Sequence, residues 1–111
     1  NPMLVEGQMQ GGALQSLGMG LYEGMVYENG QLLSGTFMDY CMPRIDQAPE
    51  IDAVIIEKPN PEGPYGARGM AEPPLTAGPA ALAAAIRDAT GVAVTDAPIR
   101  AEILWQAMQD K

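Results

Sequence analysis

An α+β fold is predicted by three features of the sequence. Apolar positions recur every four residues from Val5 to Leu21, an Asn29-Gly30 pair joins two short apolar runs, and an alanine-rich stretch from Ala80 to Thr90 is closed by Gly91. The first is a helical period, the second a two-residue hairpin connection, and the third a strong helix former ending in the residue best suited to a left-handed cap. Together they predict a Gly-rich N-terminal helix, a β-hairpin with short strands, a long Gly/Pro loop and two C-terminal helices, all within one segment spanning 1–111.

The first helix is expected from Val5 to Glu23, with Val5, Met9, Ala13, Leu17 and Leu21 on the repeat and Leu14 alongside. Gly7, Gly11, Gly12, Gly18 and Gly20 lie inside it. At nearly 1 kcal/mol each relative to alanine, they would cost an isolated helix roughly 4–5 kcal/mol, so something beyond helix propensity must stabilise it. Gly7 and Gly11 share a face, and Gln8 and Gln15 project beside them. That smooth strip suits either tight packing through small residues or a closely approaching ligand.

Met25–Glu28 and Gln31–Ser34 flank Asn29-Gly30 and predict a hairpin with a type I′ turn. Thr36–Cys41, stopped by Pro43, and Ile51–Glu57, centred on Val54-Ile55-Ile56, are further strand candidates rich in β-branched and aromatic residues. Residues 58–79 carry six prolines and four glycines without periodicity, and a loop that long in a compact domain is functional or disordered. Pro79 then suits a first helical turn before Ala80–Thr90. The last segment, opened by Asp96 and Pro98, places Ile99, Ile103, Leu104 and Met108 at helical spacing.

Within the long loop, Gly66-Ala67-Arg68-Gly69-Met70-Ala71-Glu72-Pro73-Pro74 isolates a single carboxylate. The glycines permit close approach of the main chain, while the two prolines after Glu72 remove two amide donors. In an apolar site such a carboxyl group would be raised in pKa and suited to accept a proton. On these residues alone, a solvated glutamate in a Gly/Pro loop is the competing description. The predicted helix that follows would aim its N-terminal amides and positive partial charge back toward the loop, favouring an anion.

Composition narrows the classes. Fourteen acidic residues against six basic ones give a net charge of −8, with no Lys/Arg cluster to follow a phosphate backbone, so nucleic acid is not an expected partner. There is no apolar run of membrane-spanning length and no secretory leader pattern, which points to a cytoplasmic protein. The start at Asn1-Pro2 reads as the interior of a longer protein. With one cysteine and no histidine, an internal disulfide is excluded and no metal ligands are expected from this chain. Cys41 is expected to be a small buried hydrophobe. Hydrophobic residues make up 47% of the chain, but Phe37, Trp105 and four tyrosines are its only aromatic anchors. So thin a core, beside so much Gly/Pro chain, suggests dependence on another polypeptide.

Three motifs occur in one order and spacing: Asn1-Pro2-Met3-Leu4-Val5-Glu6-Gly7-Gln8-Met9-Gln10-Gly11-Gly12, then Ser34-Gly35-Thr36-Phe37-Met38-Asp39-Tyr40 with Met42-Pro43, then Gly66 through Pro74. In these the chain resembles the C-terminal part of the molybdopterin-binding large subunit of the xanthine dehydrogenase and aldehyde oxidase family, near its carbon monoxide dehydrogenase-like branch. The resemblance extends over nearly the whole sequence and implies one part of a larger molybdopterin-binding domain.

What the resemblance implies is a molybdenum hydroxylase oxidising an aldehyde, purine or N-heterocycle with water as oxygen source. Glu72 falls on the family's active-site glutamate, the catalytic base. Ala67, Arg68, Gly69, Met70 and Ala71 would supply backbone contacts to the cofactor, and Gln8, Gly11 and Gly12 would border it from the first helix. The cofactor would be molybdenum-molybdopterin in its cytosine dinucleotide form. The remainder of the large subunit would complete the site, with iron–sulfur clusters and FAD carried on partner subunits. Leu4 stands where many relatives have a glutamine, Gln10 where the carbon monoxide branch often has histidine, and Arg68 where it often has lysine. With Ala71-Glu72-Pro73 closer to the aldehyde and heterocycle hydroxylases, these departures count against carbon monoxide as substrate. The alternative from another class is a noncatalytic assembly module, whose Gly/Pro loop and glycine strip serve only to dock on a partner subunit.

Overall fold

A computed structural model describes residues 1–110. Helix α1 (Pro2–Leu21) is followed by strands β1 (Tyr27–Glu28) and β2 (Gln31–Leu32), 3-10 turns at Ile45–Gln47 and Pro64–Gly66, and helices α2 (Pro73–Thr76), α3 (Gly78–Thr90) and α4 (Ala101–Gln109). The α+β class holds. α1 begins and ends slightly earlier than its apolar period suggests, with Pro2 in the first turn, where a missing amide costs nothing.

The hairpin forms where Asn29-Gly30 places it. Tyr27 pairs with Leu32 and Glu28 with Gln31, and both turn residues have positive φ, 49° at Asn29 and 82° at Gly30. At its base, the buried Ser34 hydroxyl accepts from the Val26 amide at 2.9 Å and donates to the Gly24 carbonyl at 3.5 Å. Gly91, with φ of 70°, closes α3 by donating to the Arg87 carbonyl.

Two strand expectations fail. Thr36–Cys41 instead turns back on itself, with the Asp39 and Tyr40 amides both bonded to the Thr36 carbonyl. Ile51–Glu57 joins no ladder among the described residues, and Val54 (73%) and Ile56 (88%) lie open to solvent. β-propensity supplies side chains that suit a sheet but no partner strand, and without a partner the backbone bonds have nowhere to go. Cys41 is likewise exposed rather than buried, because the turn at residues 36–40 carries it to the surface. The long 58–79 segment also contains α2, which its prolines conceal.

Packing at the centre runs through backbone and not through large side chains. α1 buries Gly12, Ser16, Gly18 and Gly20, while Val5, Met9, Ala13, Leu17 and Leu21 are only half-buried. Gly12, Ser16 and Gly20 are four apart and form one face against α2 and α3. A Cβ on Gly12 would lie 2.6 Å from Pro74 Cβ, one on Gly20 would lie 2.8 Å from Leu82 Cδ2, and one on Gly78 would overlap Ser16 Oγ. Ser16 is fully buried and donates to the Leu75 carbonyl at 3.0 Å, so α1 is hydrogen-bonded to the end of α2 at its closest approach. The Ile99 amide donates to the Gly20 carbonyl at 2.6 Å, docking the segment before α4 onto the end of α1.

Val92 and Ile99 are the only large hydrophobic residues buried among those described. The accessible surface is 8716 Å², against about 5,900 Å² for a compact protein of this mass. The radius of gyration is 17.4 Å, against about 13 Å for a compact domain of this length. Phe37, Met38 and Ile45 are each more than four-fifths exposed. The surplus surface, close to 3,000 Å², is on the scale of a permanent protein–protein interface.

Candidate functional site

Glu72 caps α2. Its carbonyl accepts from the Leu75 amide at 2.9 Å, while its side chain makes no cap hydrogen bond. Pro73 and Pro74 start the helix because their fixed φ suits a first turn and their missing amides are not needed there. Pro74 is pressed against Gly12, so the carboxylate is carried by a point clamped to α1. No residue of the described chain covers the Glu72 carboxylate, which is exposed. An apolar enclosure around this carboxylate is therefore not built from these residues.

The residues before Glu72 are laid out as donors. From Arg68 to Glu72 the backbone is irregular, and none of these five amide N–H groups finds an acceptor among the described residues. Ala67 is different: its amide donates to the Pro64 carbonyl at 3.0 Å. Met70 is half-buried; Arg68, Gly69 and Ala71 are exposed. The space around Gly69 is open, with nothing within 4 Å of where a Cβ would stand. A run of free amides beside one carboxylate can hold an oxygen-rich, anionic group and accept a proton next to it.

The sequence-predicted residues of α1 divide between two faces. Gly11, like Gly7, has nothing within 4 Å of its Cβ position, and Gln8 is exposed. Gly12 points the other way and is buried under Pro74. Gly7, Gln10, Gly11 and Leu14 line a groove with residues Ala48 to Asp52, where Gln10 Nε2 donates to the Ile51 carbonyl at 3.5 Å. A second groove, of about 380 Å³, joins Met9 and Ala13 to Ile51, Ala53, Met70, Pro73 and Pro74. It brings α1 and the loop carrying Glu72 together. Residues 9, 13 and 74 were absent from the sequence-predicted site, although the four-residue spacing of Gly12, Ser16 and Gly20 was a legible sign of which face packs.

Comparison with known proteins identifies the framework. Residues 1–49 match the molybdopterin cofactor-binding domain family. The chain is 42% identical over 90 residues to the nicotine 6-hydroxylase large subunit of Paenarthrobacter nicotinovorans, covering 80% of this chain and 11% of that protein. Quinoline 2-oxidoreductase from Pseudomonas putida 86 superimposes with a TM-score of 0.91 and 36% identity, over 100% of this chain and 15% of that one. The chain belongs to the molybdenum hydroxylase large-subunit family. Another member, carbon monoxide dehydrogenase from Oligotropha carboxidovorans, superimposes with a TM-score of 0.88 at 28% identity, over 99% of this chain and 14% of that one. The chain thus spans about one-seventh or less of these large subunits.

The donor set fits the family's cofactor. Free amides from Arg68 to Glu72 and the open position at Gly69 leave room and hydrogen-bond donors that an anionic pterin would need. Among the described residues there is no cluster of three His, Cys, Asp or Glu that could hold a metal ion. No helix of the described residues is long and apolar enough to cross a membrane.

Proposed function

We propose that this chain forms part of the cofactor wall of a molybdenum hydroxylase and supplies its catalytic base, Glu72. The observation that carries this reading is the unbroken run of unpartnered amides leading into an exposed carboxylate that is fixed by the Pro74–Gly12 contact. Residues Arg68 to Ala71 donate main-chain hydrogen bonds to the pterin, with Ala67 at the edge of the run. Gln8 and Gly11 border the cofactor from α1, and Gly12 serves the site indirectly by seating Pro74. When bound, molybdenum-molybdopterin, in its cytosine dinucleotide form, supplies the acceptor for the substrate's electrons. Glu72 takes a proton from the water-derived nucleophile through a carboxylate oxygen, and a single positioned carboxylate suffices for that task.

The substrate class is an aldehyde, purine or N-heterocycle. The relatives named for nicotine, quinoline and aldehyde are 42%, 36% and 35% identical. The remainder of the large subunit covers the exposed apolar surface and closes the site over Glu72. Iron–sulfur and FAD subunits then carry the electrons away.

Glu72→Gln in the intact assembly tests the reading. Molybdenum and cytidine nucleotide content should be retained while turnover falls by about 10²-fold or more, the scale of a lost general base. Turnover near wild type refutes the role of Glu72. A purified assembly with neither molybdenum nor cytidine nucleotide favours the assembly-module alternative.

A further inference from the structure

The loop before the amide run is closed on itself, and its closure is unusual. The Asn60 amide donates to the Gly66 carbonyl at 3.0 Å, the Gly63 amide to the Asn60 carbonyl at 3.3 Å, the Gly66 amide to the Gly63 carbonyl at 3.1 Å, and the Glu62 amide to Asn60 Oδ1 at 3.2 Å. Two successive residues are left-handed, Tyr65 with φ of 54° and Gly66 with φ of 79°. Glycine suits the second, where a Cβ would also stand 2.9 Å from Pro59 Cβ. Tyrosine at the first is disfavoured, and its fully exposed ring gains nothing from packing in return. Such a conformation persists only where its surroundings over-determine it.

One side chain spans the base of this loop. Arg68 Nε donates to the Lys58 carbonyl at 2.6 Å, joining the residue at which the loop begins to the residue at which the amide run begins. The chain has fourteen carboxylates, yet among the described residues the only ion pair is Arg44 with Asp46. Arg68 is thus engaged with main chain and not with an acid.

We infer that Arg68 is a positioning residue whose side chain latches residues 58–68 and so aims the amide run and Glu72. This inference rests on the proposed role of Glu72. Without the latch, strain at Tyr65 is relieved by opening the loop, and the direction of the donors from Arg68 to Glu72 is no longer fixed. A lysine at this position keeps a charged donor within reach of the same carbonyl, whereas methionine keeps the length and loses the donor.

The experiment compares Arg68→Met, Arg68→Lys and Glu72→Gln in the intact large subunit with its cofactor. Amide hydrogen exchange at Asn60, Gly63, Gly66 and Ala67 should accelerate about 2- to 13-fold in Arg68→Met, the range for one hydrogen bond of ordinary strength, and stay within about twofold of wild type in Arg68→Lys. Turnover should fall in Arg68→Met with KM little changed, and recover in Arg68→Lys. Unchanged exchange in Arg68→Met overturns the latch. An inactive Glu72→Gln beside an Arg68→Met of wild-type kcat overturns the positioning role alone. An active Glu72→Gln overturns the function on which it rests, whatever Arg68 does.

Discussion

Of the glycine positions, Gly78 is the one where an added Cβ would meet a neighbour, Ser16, most closely, and it makes a quantitative prediction. In Gly78→Ala the new Cβ overlaps Ser16 Oγ and lies 2.6 Å from Ser16 Cβ, so α3 must move off α1. Overpacking of this kind costs about 1–3 kcal/mol. Ser16→Gly removes the obstacle but leaves the Leu75 carbonyl without its donor, at a cost of about 1–3 kcal/mol. The double variant loses the hydrogen bond but has no overlap, so it should be more stable than the sum of the singles by the overpacking cost, roughly 1–3 kcal/mol. Hydrogen exchange of α1 and α3 amides in the intact subunit reads the local opening free energy directly. Each single variant should exchange about 5- to 150-fold faster than wild type, since 1.4 kcal/mol is a factor of ten. The double should exchange no faster than Ser16→Gly alone. Strict additivity would show that the helices do not meet through these two residues.

Neighbouring glycines on α1 should respond with opposite signs. In the cofactor-free subunit, Gly11→Ala adds a side chain where nothing lies within 4 Å and should slow α1 exchange by up to about fivefold through helix propensity. Gly12→Ala drives a Cβ against Pro74 and should accelerate it, and a shift of the same sign for both would contradict the two-faced helix. The Tyr40 hydroxyl donates to Glu23 Oε2 at 2.9 Å; that hydrogen bond, then burial, then the Glu23 charge raise its pKa above the ordinary 10.0. Because the folded value exceeds the unfolded one, the stabilisation is complete below pH 10.0 and disappears as pH rises through the raised folded value. Tyrosinate difference absorbance and alkaline unfolding should show this loss in wild type and not in Tyr40→Phe. A Tyr40 that titrates at or below its ordinary value would contradict it.

What could be read from the sequence was local. Asn29-Gly30 carries its own turn preference and Gly91 its own cap, so the hairpin and the end of α3 appear where their residues put them. Pairing is not local. Thr36–Cys41 and Ile51–Glu57 have the side chains of strands, but whether a strand forms depends on a second edge that no residue within them specifies. For α1 the apolar period located the helix, whose residues on that repeat are only half-buried. The buried positions are Gly12, Ser16, Gly18 and Gly20, because small residues let backbones approach and Ser16 can bond the Leu75 carbonyl.

The site follows the same division. Gly66 to Pro74 marked itself by composition, since two glycines and two prolines around one carboxylate restrict the main chain before any contact is known. Its orientation depends on distant residues: Gly12 receives Pro74, Ser16 holds Leu75, and Lys58 receives the Arg68 side chain. These three contacts fix the loop from α1 on one side and from residue 58 on the other, while the amides between them stay unpartnered. The three contacts hold in place the backbone that carries Glu72 and its neighbouring donors. A surface surplus near 3,000 Å² is left on the chain, the scale of an interface with other protein, and under the proposed function the enclosure of Glu72 would have to come from such burial.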